Sequence, residues 1–207
     1  MEKKTFKTIE KKFIHKIEKI KGSEFIAYAI PVKNKEDIKK ELEAVKKEYY
    51  DAKHHCYAYI LGYDKNKTIK YSDDGEPNKT AGLPIFTVLN SYDVTDILVV
   101  VIRYFGGIKL GTGGLVKAYT KATAELLKIV KFKEVEVKDK IILTFSYDLI
   151  SKIYHVSNIF DGTIQNETYE NEITFEIELN VAQIENFKKQ IIEKTDGKVK
   201  IADKKDA

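Results

Sequence analysis

Residues 97–114 read ILVVVIRYFGGIKLGTGG, and the first eight of them decide the fold. Ile97 to Tyr104 is the most strongly β-branched run in the chain. It is apolar on both alternating faces, which predicts a central strand covered on each side. Beyond the glycines, Leu115, Tyr119, Ala122, Leu126 and Ile129 return at helical spacing. Lys128 and Lys131 stand near the negative end of that helix's dipole. This helix closes a first domain over residues 1–131.

Upstream, Phe13 to Ile20 and Phe25 to Ile30 read as two strands joined at Lys21-Gly22-Ser23, with Pro31 ending the second. Asn34 with Asp37 predicts a capped helix start, and Ile38, Leu42, Val45 and Tyr49 form its apolar stripe. The lysines of this helix alternate with glutamates and read as a solvated face. His55 to Leu61 and Thr68 to Tyr71 read as a hairpin across Asp64-Lys65-Asn66. A helix from about Ala81 to Ser91 tolerates Pro84 in its first turn.

Downstream the order is strand Glu136 to Phe145, helix Leu149 to Ile159, strand Thr163 to Tyr169, strand Ile173 to Leu179, helix Ala182 to Glu193 and strand Lys198 to Ile201. This βαββαβ order is the ferredoxin-like one and defines a second domain over residues 135–203. Asp161-Gly162 reads as a turn, and Asn180 with Gln183 as a cap for the last helix. A short segment around Phe132 to Glu134 is expected to join the domains, and Asp203 to Ala207 to fray. The fold class is α+β, with a βαβ-containing sheet-and-helix domain followed by a ferredoxin-like one.

Composition agrees with a folded chain: 43% of the 207 residues are hydrophobic and 33% charged, enough apolar surface for a core. One cysteine, Cys56, excludes an internal disulfide, so a reducing, cytoplasmic setting is expected. No run of about 18 apolar residues occurs, which predicts no membrane contact. The net charge of +4 is unevenly spread. Up to Lys131 there are 25 Lys and Arg against 17 Asp and Glu, and from Phe132 onward 11 against 15. An anionic partner therefore fits the first domain better than the second.

Five of the 11 glycines fall in 106–114. Glycine reaches positive φ without penalty and admits close approach, while a helix start offers free amides. Gly106, Gly107, Gly111, Gly113 and Gly114 with Arg103, Lys109 and Lys117 could thus seat an anion or nucleic acid. A tight strand-to-helix turn explains the same glycines. Two nucleotide motifs fail: Gly106 and Gly111 have P-loop spacing, but Thr112 occupies the lysine position, and Val116 replaces the third dinucleotide glycine.

Ser72-Asp73-Asp74-Gly75-Glu76-Pro77 could place Asp73, Asp74 and Glu76 around Mg²⁺ or use one as a base. An ordinary acidic turn, salt-linked to Arg103 or Lys109, is the alternative. Of His54, His55 and Cys56, only His54 and Cys56 share a strand face, too few for structural zinc. A buried thiol fits Cys56 as well as a nucleophile does. Tyr104-Phe105 beside Arg103 would suit base stacking, although a core position is the simpler reading for Phe105. No cofactor is expected beyond the Mg²⁺ alternative.

Taken together, His54-His55-Cys56-Tyr57-Ala58-Tyr59, Ser72 to Pro77 with Thr80-Ala81-Gly82-Leu83-Pro84, and Arg103 to Gly111 with Gly113 to Tyr119 resemble the YigZ/IMPACT family. Lys79, Leu83 and Thr112 depart slightly from its pattern. The resemblance implies a first domain similar to domain IV of elongation factor G and a second similar to its domain V, the parts that approach the ribosome. It therefore implies RNA or ribosome contact and a role in translation regulation, without an enzymatic activity. The competing readings are an enzyme or sensor for a small phosphorylated or carboxylated ligand, and a protein-partner adaptor acting through the acidic second domain.

Overall fold

The structure is a computed structural model that describes residues 5–63 and 67–203; the expected turn Asp64-Lys65-Asn66 and residues 204–207 lie outside the described residues. The chain divides into two compact units, one over Phe6–Val135 and one that joins Thr5 to the residues from Glu136 onward.

The first unit contains β1 (Thr5–Ile9), β2 (Phe13–Lys16), β3 (Glu24–Pro31), α1 (Lys35–Glu48), β4 (His54–Leu61), β5 (Thr68–Ser72), α2 (Gly82–Ser91), β6 (Ile97–Tyr104), α3 (Gly111–Ile129) and β7 (Phe132–Glu136). Five strands form one sheet in the order β2-β3-β6-β4-β5, and every adjacent pair is antiparallel. Because β6 runs against both β3 and β4, those two are parallel to each other with β6 inserted between them. The expected βαβ unit is therefore present in split form, as β3-α1-β4.

The double-faced character of β6 follows from its cover. Ile97, Val99 and Val101 are buried with residues of α2 and α3, among them Ile85, Leu89, Leu115, Tyr119 and Leu126. Leu98, Val100 and Ile102 are buried on the other face with Ile38 and Val45 of α1. Neighbouring strands present Ala27, Ala29, Cys56 and Ala58 to the two-helix face, and the larger Tyr28 and Tyr59 to the α1 face. Small side chains let two helices approach, whereas bulk fills the space under one, as close packing requires.

Asn34 caps α1 as its sequence predicts, its Oδ1 accepting from the Asp37 amide at 2.8 Å. Asp37 does not reach back to the cap residue; its Oδ2 accepts from the Lys33 amide, one residue earlier, at 2.9 Å. Asn34→Ala should cost about 1 kcal/mol, read as a lower urea midpoint at unchanged slope. Pro84 lies in the first turn of α2, where its missing amide removes no intrahelical bond.

The linker expected around Phe132 to Glu134 is instead β7, which pairs with β1, a strand the sequence reading did not foresee. The long strand expected from Glu136 breaks at the buried Val137, so that β7 ends and β8 (Lys138–Phe145) begins. The second unit continues with α4 (Ile150–Ile159), β9 (Thr163–Tyr169), β10 (Ile173–Asn180), α5 (Ile184–Lys194) and β11 (Lys200–Asp203). Its sheet has the order β11-β8-β10-β9, antiparallel throughout, which is the ferredoxin-like arrangement. The alternating Ile173, Phe175, Ile177 and Leu179 bury with Ile141, Leu143 and Phe145 against Ile153, Val156, Phe187 and Ile191. Asn180 does not cap α5. Its side chain accepts from Ala182 at 2.8 Å and its carbonyl from Gln183, closing a turn that delays the helix to Ile184.

Candidate functional site

The acidic turn after β5 is tight: Asp74 and Gly75 have φ of 38° and 87°, and the Glu76 amide donates to the Asp73 carbonyl at 2.9 Å. Its three carboxylates serve three different neighbours. Asp73 accepts from the amides of Lys79, Ala81 and Gly82 at 2.8, 3.0 and 2.8 Å. It thereby caps α2, whose own cap residue Ala81 has no side chain for the task. Asp74 accepts from the His55 amide at 2.7 Å and from Lys46 Nζ at 3.2 Å. Glu76 Oε1 accepts from Arg103 Nη1 at 2.7 Å and from the Tyr119 hydroxyl at 2.9 Å. Among the described residues, no three His, Cys, Asp or Glu side chains are grouped to hold a metal ion.

The histidine-cysteine block feeds the same network. His54 Nδ1 lies 2.9 Å from the Asp74 carbonyl and His55 Nε2 lies 3.0 Å from the Tyr49 carbonyl, so each of these nitrogens carries its proton and donates. The Cys56 thiol is fully buried and donates to the Asp73 carbonyl at 2.9 Å, with the Tyr119 hydroxyl 3.3 Å away. Burial pushes its pKa well up, which keeps it a thiol and removes the nucleophile reading.

Arg103 belongs to this interior and not to a surface. Only 6% of it is exposed. Its charge is met by Glu76, and Nη2 points at Ser23 Oγ at 3.4 Å. Ser23 Oγ in turn accepts from the Gly106 amide at 3.3 Å. Gly106 faces backbone: a Cβ there would lie 1.8 Å from the Gly22 carbonyl carbon. The expectation that Arg103 and Gly106 contact an outside anion is corrected accordingly; both anchor the turn, and the salt link foreseen between Arg103 and the acidic turn is its Glu76 pair. Tyr104 is also engaged, donating to Asp51 at 2.7 Å, a bond that pushes its hydroxyl up to about 12.

Past Gly106 the surface opens. Gly107 and Gly111 hold φ of 87° and 73°, which favours glycine. A Cβ added at Gly107, Gly111 or Gly113 would meet nothing within 4 Å. Gly111, Gly113 and Gly114 form the first turn of α3, where the sequence reading had a loop. Lys109 and Lys117 are exposed, and neither has an ion-pair partner among the described residues. Beside them Phe105 and Ile108 are 55% and 56% exposed, so Phe105 is not a core residue. Ile108, Val116 and Ser23 were missed; the first two are signalled only by apolar residues standing where glycines leave no packing partner.

The Impact N-terminal domain family profile matches residues 21–127, and a domain of unknown function, DUF1949, matches residues 143–198. The chain is 33% identical to "IMPACT family member YigZ" of Escherichia coli strain K12, over 89% of this chain and 91% of that protein. It is 32% identical to "IMPACT family member YvyE" of Bacillus subtilis strain 168, over 86% and 82%. A solved structure titled "Crystal structure of an hypothetical protein" superposes with a TM-score of 0.77 at 31% identity, covering 98% of both chains.

Proposed function

The chain belongs to the IMPACT family, and from that premise we propose that it is a non-enzymatic RNA- or ribosome-binding protein of the cytoplasm that acts in regulating translation. The observation that carries this reading is the open surface of 105–117. There two lysines without an ion-pair partner among the described residues flank bare glycine backbone and exposed apolar side chains. Unmatched cations attract phosphate, backbone without Cβ lets it come close, and Phe105 offers a ring to a base. The excess of basic residues up to Lys131 supports the same partner. So does the likeness, drawn from the sequence motifs, to the ribosome-facing domains of elongation factor G. The alternative small-ligand enzyme loses its acid–base and metal groups, since Asp73, Asp74 and Glu76 are committed to structural partners.

Each phosphate contact releases counterions, so binding must weaken steeply with salt. The double variant Lys109→Ala/Lys117→Ala should flatten the slope of log affinity against log salt by roughly 1.4 for single strands, two contacts' worth. Ribosome co-sedimentation and filter binding of bulk RNA measure it. No association at about 50 mM salt, or a slope untouched by the double variant, ends this reading.

A further inference from the structure

We propose that this surface continues across one end of the five-stranded sheet as a track for single-stranded nucleic acid, with Tyr50 and Phe105 as base-stacking positions. This rests on the RNA-binding reading and names the class of RNA. The topology brings four connections to that end: those before β3, before β4 and after β6, which form the track, and the acidic turn after β5, which is bonded to His54 and His55. β3 and β4 begin there and β6 finishes there, with Glu24 opposite Tyr104 and His54 opposite Arg103. The turn before β3 presses on the loop after β6, where a Cβ on Gly22 would come 2.6 Å from the Gly106 carbonyl oxygen. The connection before β4 is tied to the same place by the Tyr104 hydroxyl on Asp51, the residue after Tyr50.

Each of these three connections carries exposed groups; of them, Phe105 also has the Arg103 guanidinium 5.7 Å from its ring centroid. Tyr50 is 84% exposed, the highest value of any large apolar or aromatic side chain among the described residues, and Phe105 is 55% exposed. Lys21, Lys53 and Lys109 are exposed, one from each connection, and none has an ion-pair partner among the described residues. Of the nearby acids, Glu24 is paired with Lys16 and Lys19 and Asp74 with Lys46, while Glu48 and Asp51 accept from the neutral hydroxyls of Tyr28 and Tyr104. Glu18 is exposed without an ion-pair partner among the described residues. Rings interspersed with exposed ammonium groups at one end of a sheet suit a strand whose bases are splayed and whose phosphates meet the lysines. A duplex hides its base faces and could use only the lysines.

Fluorescence anisotropy with a labelled oligouridine and a perfectly paired RNA duplex of matched charge tests this on the full chain. The single strand should bind at least about ten-fold tighter. Tyr50→Ala and Phe105→Ala should each weaken it by roughly five- to a hundred-fold while leaving the duplex unchanged. Tyr50→Phe should bind as the parent does, because the ring remains. Equal affinity for strand and duplex, or silence of Tyr50→Ala, overturns the track while leaving RNA binding standing. Failure of both probes to bind, with bulk RNA and ribosomes also negative, overturns both readings.

Discussion

Arg103→Ala should lower the unfolding free energy by about 3–5 kcal/mol, because it strands a buried carboxylate. Glu76 is 8% exposed, and without Arg103 it keeps, among the described residues, only the Tyr119 hydroxyl. One neutral hydrogen bond cannot replace an ion pair 2.7 Å long in a water-poor site. Removing both charges is a different experiment. Glu76→Leu with Arg103→Met replaces the pair by apolar groups of similar length and should cost far less than the single change. The interaction term of that double-mutant cycle, from urea titrations of the four proteins, should exceed about 2 kcal/mol. A near-zero term would mean that the pair contributes nothing to the turn it joins.

Gly106→Ala is the second large effect. The added methyl would lie 1.8 Å from the carbonyl carbon of Gly22 and 2.1 Å from the Ser23 amide nitrogen. These are backbone atoms, so no flexible side chain can yield, and the two turns must part. Overpacking typically costs about 1–3 kcal/mol, and a backbone clash belongs at or beyond the upper end. Separating the turns also breaks the Ser23 bridge between Gly106 and Arg103. Gly113→Ala is the matching control. It has open space and no positive φ, so within the first turn of α3 it should gain up to about 1 kcal/mol. Thermal midpoints separate the two, since 1 kcal/mol corresponds to roughly 2–4 °C in a chain of this size. If Gly113→Ala gains stability and loses RNA affinity, something outside the chain approaches that glycine.

The elements were legible wherever pattern alone determines them. Ile97 to Tyr104 could only be a covered strand, and the alternation from Ile173 to Leu179 could only be a half-buried one. Asn34 announced its helix by chemistry that acts within four residues. Pairing partners were another matter. The inserted position of β6 and the antiparallel sheet around it depend on contacts across the chain, which local periodicity does not encode. The β1–β7 pair was missed for the same reason, its strands being short and half polar. At the site, the three motif blocks were visible, yet their residues divide by burial. Arg103, Glu76 and Cys56 are buried and Asp73 half-buried, whereas Lys109, Lys117 and Phe105 stay outside. A guanidinium that neutralises an internal carboxylate looks, in one dimension, the same as one awaiting a phosphate.

The insertion of β6 also orders events during synthesis. The segments on either side of it, β3 and β4, are made 40 residues or more before the last residue of β6. A nascent chain ending before Ile97 therefore has β3 and β4 without the strand that pairs with both, a gap that leaves one edge of each with unmatched amides and carbonyls. Until the middle strand leaves the exit tunnel and slides in, that gap is the place where a chaperone or a stray neighbour would bind.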